Sequence, residues 1–138
     1  MRGTKSGTER QKHFFDLLWS HADSAYKDSP KWRREIYWFS GISPATAKYY
    51  MERFPQFMNP DEGHNDSPVM REMIALAEKY NGTIGGYAIP PESGRDDRRV
   101  TFDSLVLPID EATAKALQTQ LKADEFGTRG NGYRFWWD

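Results

Sequence analysis

Cysteine is absent from all 138 residues, which removes disulfides, thiolate zinc sites and thiol catalysis from consideration. Long apolar runs are missing as well. None approaches the roughly 20 residues that a membrane-spanning helix needs, and the opening MRGTKSGTERQK has no apolar core of the signal-peptide kind. Together these absences set the expectation of a soluble, cytoplasmic protein with no membrane partner. Catalytic signatures are lacking too: there is no Gly-x-Ser-x-Gly elbow, Gly-Lys-Ser/Thr phosphate loop, dinucleotide fingerprint or His-Glu-x-x-His run. His13, His21 and His64 stand far apart, and no nucleophile is marked beside any of them. No residue set argues for an enzyme, and no cofactor is expected.

Net charge is nearly absent, at −1, but the two signs are not evenly spread. Residues 1–54 carry 10 Lys/Arg against 6 Asp/Glu, and residues 55–138 carry 9 against 14. A polyanion would therefore meet the N-terminal segment first. What the chain has in quantity is aromatic side chains, 14% of residues, so large rings must fill either the core or a partner surface.

Hydrophobic period, capping chemistry and charge agree most closely over Lys31 to Phe54. Ser29-Pro30 starts a helix in which Trp32, Ile36 and Phe39 recur at helical spacing, and Gly41 supplies a left-handed cap. Ser43-Pro44 repeats the start signal, and Ala47, Tyr50, Met51 and Phe54 form one apolar stripe. Helix, glycine turn, helix at this spacing resembles the helix-turn-helix of DNA-binding proteins. The resemblance covers residues 33–54 and no more of the chain. It implies that Ser43, Ala45, Thr46, Lys48 and Tyr49 face base edges or phosphates, with Arg33 and Arg34 near the backbone. Tyr37 and Ser40 depart from the small and apolar residues usual at those places.

Around this motif the pattern predicts a disordered arm over residues 1–8, a helical unit over 9–54, a connector over 55–67 and an α-β-β-α-β unit over 68–138. The first helix is placed from Glu9 to Tyr26 on the stripe of Phe14, Leu17, Leu18 and Ala22. His21 lies in that stripe and is read as a hydrogen-bonded core residue. In the second unit, helices start at Ser67-Pro68 and near Asp110, Thr83–Ile89 and RVTFDSLVL pair as a hairpin, and YRFWW is the last strand. Gly85-Gly86 marks a bulge or a close backbone approach. The fold class expected is α+β, with a three-helix unit beside a small antiparallel sheet.

Three further clusters invite a functional reading. Arg95, Arg98 and Arg99 at the hairpin tip would form a wing touching phosphates, although Asp96 and Asp97 offset their charge. Asp61, Glu62, His64 and Asp66 in the connector are weak candidates for a metal, against the ordinary use of such residues in turns. Trp136 in the last strand falls on the face opposite Tyr133, Phe135 and Trp137, as a partner interface would require. The function expected is therefore a small DNA-binding regulator or accessory protein acting on double-stranded DNA. Its alternative is a compact protein-interaction or inhibitor protein, homodimeric or bound to another chain, and a metal-dependent nuclease is the remote third.

Overall fold

The computed structural model describes residues 14–15, 17–22, 36–90 and 99–137. Strand β1 (Tyr37–Ile42) leads into helix α1 (Pro44–Arg53), and a long bend connects this to α2 (Met70–Tyr80). The hairpin β2 (Thr83–Ile89) and β3 (Arg99–Leu107) follows, then α3 (Glu111–Leu121), β4 (Glu125–Arg129) and β5 (Gly132–Trp136). The strands form one antiparallel sheet in the order β1-β2-β3-β5-β4. The protein is thus α+β, as its sequence pattern predicts.

Local chemistry explains each helix. Ser43 caps α1 by accepting the Thr46 amide at 3.1 Å, with Pro44 at the first helical position, where its missing N–H goes unused. Asp110 caps α3 through the Thr113 amide at 2.8 Å, and that bond holds the Asp110 carboxyl below its ordinary pKa. The start of α2 differs from expectation. Its cap is Val69, with no side-chain bond, because the Ser67 hydroxyl instead accepts from the His64 amide and donates to the Pro68 carbonyl. Asn81 ends α2 in the left-handed conformation at φ 57°, and Gly82 lets the chain pass close under β3. A Cβ at Gly82 would lie 2.3 Å from the Val106 carbonyl oxygen.

Alternation along the strands separates two faces. Tyr37, Phe39, Ile84, Ala88, Val100, Phe102, Leu105 and Phe135 point to the helices and share one hydrophobic cluster with Ala47 and Tyr50 of α1, Met73 and Ala77 of α2, and Leu117 of α3. Phe14, Phe54 and Phe57 close one end, the Phe14 and Phe57 rings stacking at 5.5 Å. Trp137 is fully buried and donates its indole N–H to the Leu121 carbonyl at 3.1 Å.

Four expectations are corrected. The helix drawn through Ile36 and Phe39 to Gly41 is strand from Tyr37 onward, because Tyr37 and Phe39 alternate with Trp38 and Ser40 and find partners in Ala88 and Gly86. Gly41 does take a positive φ, 73°, but inside a strand irregularity rather than at a helix end. The helix expected to reach Tyr26 stops by Trp19: residues 20–22 turn, and Ala22 bridges to Phe39. The glycine-rich turn expected over TRGNG, residues 128–132, is shorter, because Thr128 and Arg129 belong to strand β4, which starts at Glu125. Every one of its residues is exposed, so no apolar pattern announces it, and pairing to β5 is what makes it a strand. Finally, the 55–67 connector does not separate one core from another, since β1 pairs with β2 and a single cluster spans both sides of it.

Candidate functional site

The sheet face turned away from the helices is built from the alternate residues of the same strands. Register places Trp38 of β1 beside Tyr87 of β2, Tyr87 beside Thr101 of β3, and Ser104 of β3 beside Trp136 of β5. Arg134 lies opposite Val106, two residues along β5 from Trp136. Rings, guanidinium groups and hydroxyls thus lie on one side of the sheet, where Trp38 is exposed and Tyr87 and Ser104 are buried.

Its centre is an irregularity. Gly85 pairs with Ser104 and Gly86 with Phe102, so Asp103 has no partner across the ladder. On the other side of β2, Phe39 pairs with Gly86 and Ile42 with Ile84, which leaves Ser40 and Gly41 together opposite Gly85. Bulged strands close on Gly85 from both flanks: a Cβ there would be 2.6 Å from the Ser104 hydroxyl and 3.0 Å from the Phe39 carbonyl. Bulges re-aim side chains. Here Asp103 lines a cavity of about 600 Å³ together with Trp38, Ser40, Ser104, Arg129 and Arg134.

Asp103 is only 3% exposed. Burial pushes its carboxyl above the ordinary pKa, because the charged form loses water. Hydrogen bonds from Trp136 and Ser104, and the charges of His64 and Arg134, pull the other way without reversing the shift. A buried acid flanked by a guanidinium and an indole donor inside a cavity marks a site candidate with a physical rationale.

A second cavity, about 560 Å³, adjoins the start of β3 and is bounded by the 55–67 bend. There β3 has no β5 beside it, since β5 reaches only Ser104. The Val100 amide donates instead to the Phe57 carbonyl at 3.1 Å. Tyr87 organises this region. Arg99 donates to its hydroxyl oxygen at 3.1 Å, and His64 Nδ1 lies 3.1 Å from the same oxygen. A guanidinium can only donate, so the Tyr87 oxygen accepts from Arg99, while the direction of its bond with His64 Nδ1 follows the imidazole tautomer. Arg99 also lies over the Tyr87 ring at 5.8 Å and donates to Thr101 Oγ1 at 3.3 Å.

The residues singled out from sequence are divided by this geometry. His64, Arg99 and Trp136 belong to the face just described. Ser43, Ala45, Thr46, Lys48 and Tyr49 lie on α1, where the Ser43 hydroxyl is engaged by the Thr46 amide and hydroxyl. Lys48 and Tyr49 are exposed, and Arg53 sits over the Tyr49 ring at 5.2 Å. Arg33, Arg34, Arg95 and Arg98 lie outside the described residues. Arg99, the remaining wing residue, is the first residue of β3 and contacts Tyr87. In the connector, Asp61 pairs with Arg71 and His64 with Tyr87, while Glu62 and Asp66 are exposed. Among the described residues no three His, Asp or Glu side chains converge as a metal site. His21 bonds the Tyr50 hydroxyl at 3.1 Å.

Sequence reasoning passed over Trp38, Tyr87, Asp103, Ser104, Arg129 and Arg134. One signal was present: Asp103 interrupts RVTFDSLVL, the most β-branched strand of the chain. Comparison with protein families, with curated proteins and with solved structures finds no match to this chain.

Proposed function

We propose that the protein binds nucleic acid, and that it takes a single strand on the sheet face away from the helices. The observation that carries this reading is the pairing of rings with guanidinium groups on that face. Arg134 lies over Trp136 at 5.8 Å, Arg99 over Tyr87 at 5.8 Å, and the Trp38 ring, 43% exposed, is 6.1 Å from Tyr87. Trp38 and the half-buried Trp136 offer rings on which bases stack whatever their identity, Tyr87 being buried at 8% exposure, while arginines follow the phosphates.

Labelled single-stranded nonamers titrated at low salt test this by fluorescence anisotropy. Binding is expected to weaken steeply with salt. Trp38→Ala should weaken it about ten-fold, the scale of one base stacked on one ring. Absence of binding at low salt overturns the reading.

A second reading keeps the double-stranded target suggested by the helix-turn-helix resemblance, and the exposed Lys48 and Tyr49 on α1, the latter 49% exposed, favour it. It requires that duplex be bound in preference to single strand, and that Lys48→Ala with Tyr49→Ala abolish that binding while Trp38→Ala leaves it intact. If neither form binds, the protein-interaction alternative stands. Phe126, 36% exposed on edge strand β4, is then its first anchor to mutate.

A further inference from the structure

We propose that Asp103 and Arg134 make the sheet face selective for guanine, Asp103 accepting from the N1–H and N2–H₂ edge and Arg134 donating to O6 and N7. This rests on the single-strand reading above and deepens it by naming the base.

Ionised, the Asp103 carboxylate offers about four acceptor sites. The Trp136 indole and the Ser104 hydroxyl are near enough to fill two of them. The side chain nevertheless lines the 600 Å³ cavity, a volume within the range of about 300–1,000 Å³ usual for ligand pockets. A bulge holds it there at the cost of desolvating a carboxylate, a cost that a ligand supplying two parallel N–H donors would offset.

Among the bases only guanine offers two adjacent donors on one edge. Uracil and thymine present one donor between two carbonyl acceptors, which a carboxylate repels. Adenine and cytosine place a ring acceptor beside their amino group, so an ionised acid meets one donor and one lone pair. Arg134 lines the same cavity, and its charge acts on Asp103. A guanidinium fork pairs with guanine O6 and N7. The two side chains are thus complementary to different edges of one base, and Trp38 on the cavity wall offers a ring to stack it.

The probes are uridine nonamers carrying a single central G, A, C or U, together with free GMP and AMP, titrated against the parent, Asp103→Asn and Arg134→Lys. The parent is expected to bind the G oligomer about ten-fold tighter than the others, the discrimination typical of a bidentate pair. Asp103→Asn, whose amide turns a donor toward N1–H, should lose the preference. Arg134→Lys should lose some of it while the salt slope stays unchanged, because the charge is kept. A cooperative melt of each variant confirms that loss of selectivity is not loss of fold. Equal binding of all four oligomers by the parent overturns the guanine assignment and leaves the single-strand reading intact. Binding of GMP over AMP without any oligomer binding does the reverse: it supports the base reader and overturns the nucleic-acid reading. Failure of every probe overturns both.

Discussion

On the helix side of the sheet, Phe39, Ala88, Val100, Leu105 and Phe135 are sealed against three helices, and their burial is the main force that holds the fold. One residue along each strand, the opposite side carries Trp38, Tyr87, Thr101, Ser104 and Arg134, with Asp103 pushed in among them by a bulge. The helix-side face is what stability alone would select. The opposite face keeps a carboxylate out of water and interrupts its own ladders at Gly85, both of which oppose stability. Local rules kept on the helix side and broken on the other point to function on the face that breaks them.

This contrast can be broken most severely at the C-terminal end of the sheet. Trp137 faces the core and Trp136 the opposite side. Trp137→Ala should lose about 3–5 kcal/mol by denaturant unfolding, the usual range for a buried tryptophan, whereas Trp136→Ala should lose roughly half of that or less. Equal losses would mean that the polar face contributes as much to the fold as the core does.

Next in size is the bulge. A Cβ at Gly86 would sit 2.0 Å from the Thr101 carbonyl oxygen, while one at Gly127 on β4 meets nothing within 4 Å. Gly86→Ala should cost about 1–3 kcal/mol as β2 is forced off β3, and Gly127→Ala should leave the melting temperature close to the parent's. A tolerated Gly86→Ala would show that the strands can shift and that the placement of Asp103 is not fixed by backbone packing.

Smaller again is the cap of α1. Ser43→Ala should destabilise the protein by about 1 kcal/mol, and it should leave single-strand affinity unchanged if α1 lies outside the binding face. A loss of duplex binding beyond that of stability would return Ser43 to the role its place in the helix-turn-helix resemblance implies.

The smallest effect is a pH dependence. Asp103 has a raised pKa in the folded protein, so above the ordinary carboxylate range the native state retains a proton that the unfolded chain has released. Across that interval stability falls as pH rises. Asp103→Asn removes the charge and should be more stable than the parent at neutral pH, with the difference shrinking as pH is lowered toward the ordinary carboxylate pKa of about 4. A parent that gains stability relative to the variant on going from acid to neutral pH would show that Asp103 is held as a satisfied anion.

Much of the fold was legible locally. Asp110 and Ser43 announce their helices because a short side-chain oxygen can reach an amide three residues on, whatever the rest of the chain does. Strand β3 follows from its β-branched content, the break at Gly85-Gly86 from the absence of side chains there, and the burial of Phe135 and Trp137 from alternation. Of the site, His64, Arg99 and Trp136 were singled out, each for a neighbourhood in sequence rather than for the partners it has in space. Gly41 was recognised as a left-handed position, but a left-handed glycine serves a strand bulge as readily as a helix cap.

Only the tertiary structure settled the rest. Whether Tyr37 to Ile42 is helix or strand depends on β2, more than 40 residues away, offering hydrogen bonds to its edge, and short aromatic segments satisfy both periods. Strand β4, exposed throughout, exists because β5 pairs with it. The candidate site is non-local in the same way: Trp38, Tyr87, Asp103 and Arg134 come from four strands, and no spacing in the chain relates them. Sequence by itself determined the helix caps, the core periods and the class α+β, since these rest on interactions within a few residues. Sheet order, the bulges around Gly85 and the face on which the polar groups meet were decided by pairing across the whole chain, where the hydrogen-bond partner of a residue is set by register and not by its neighbours.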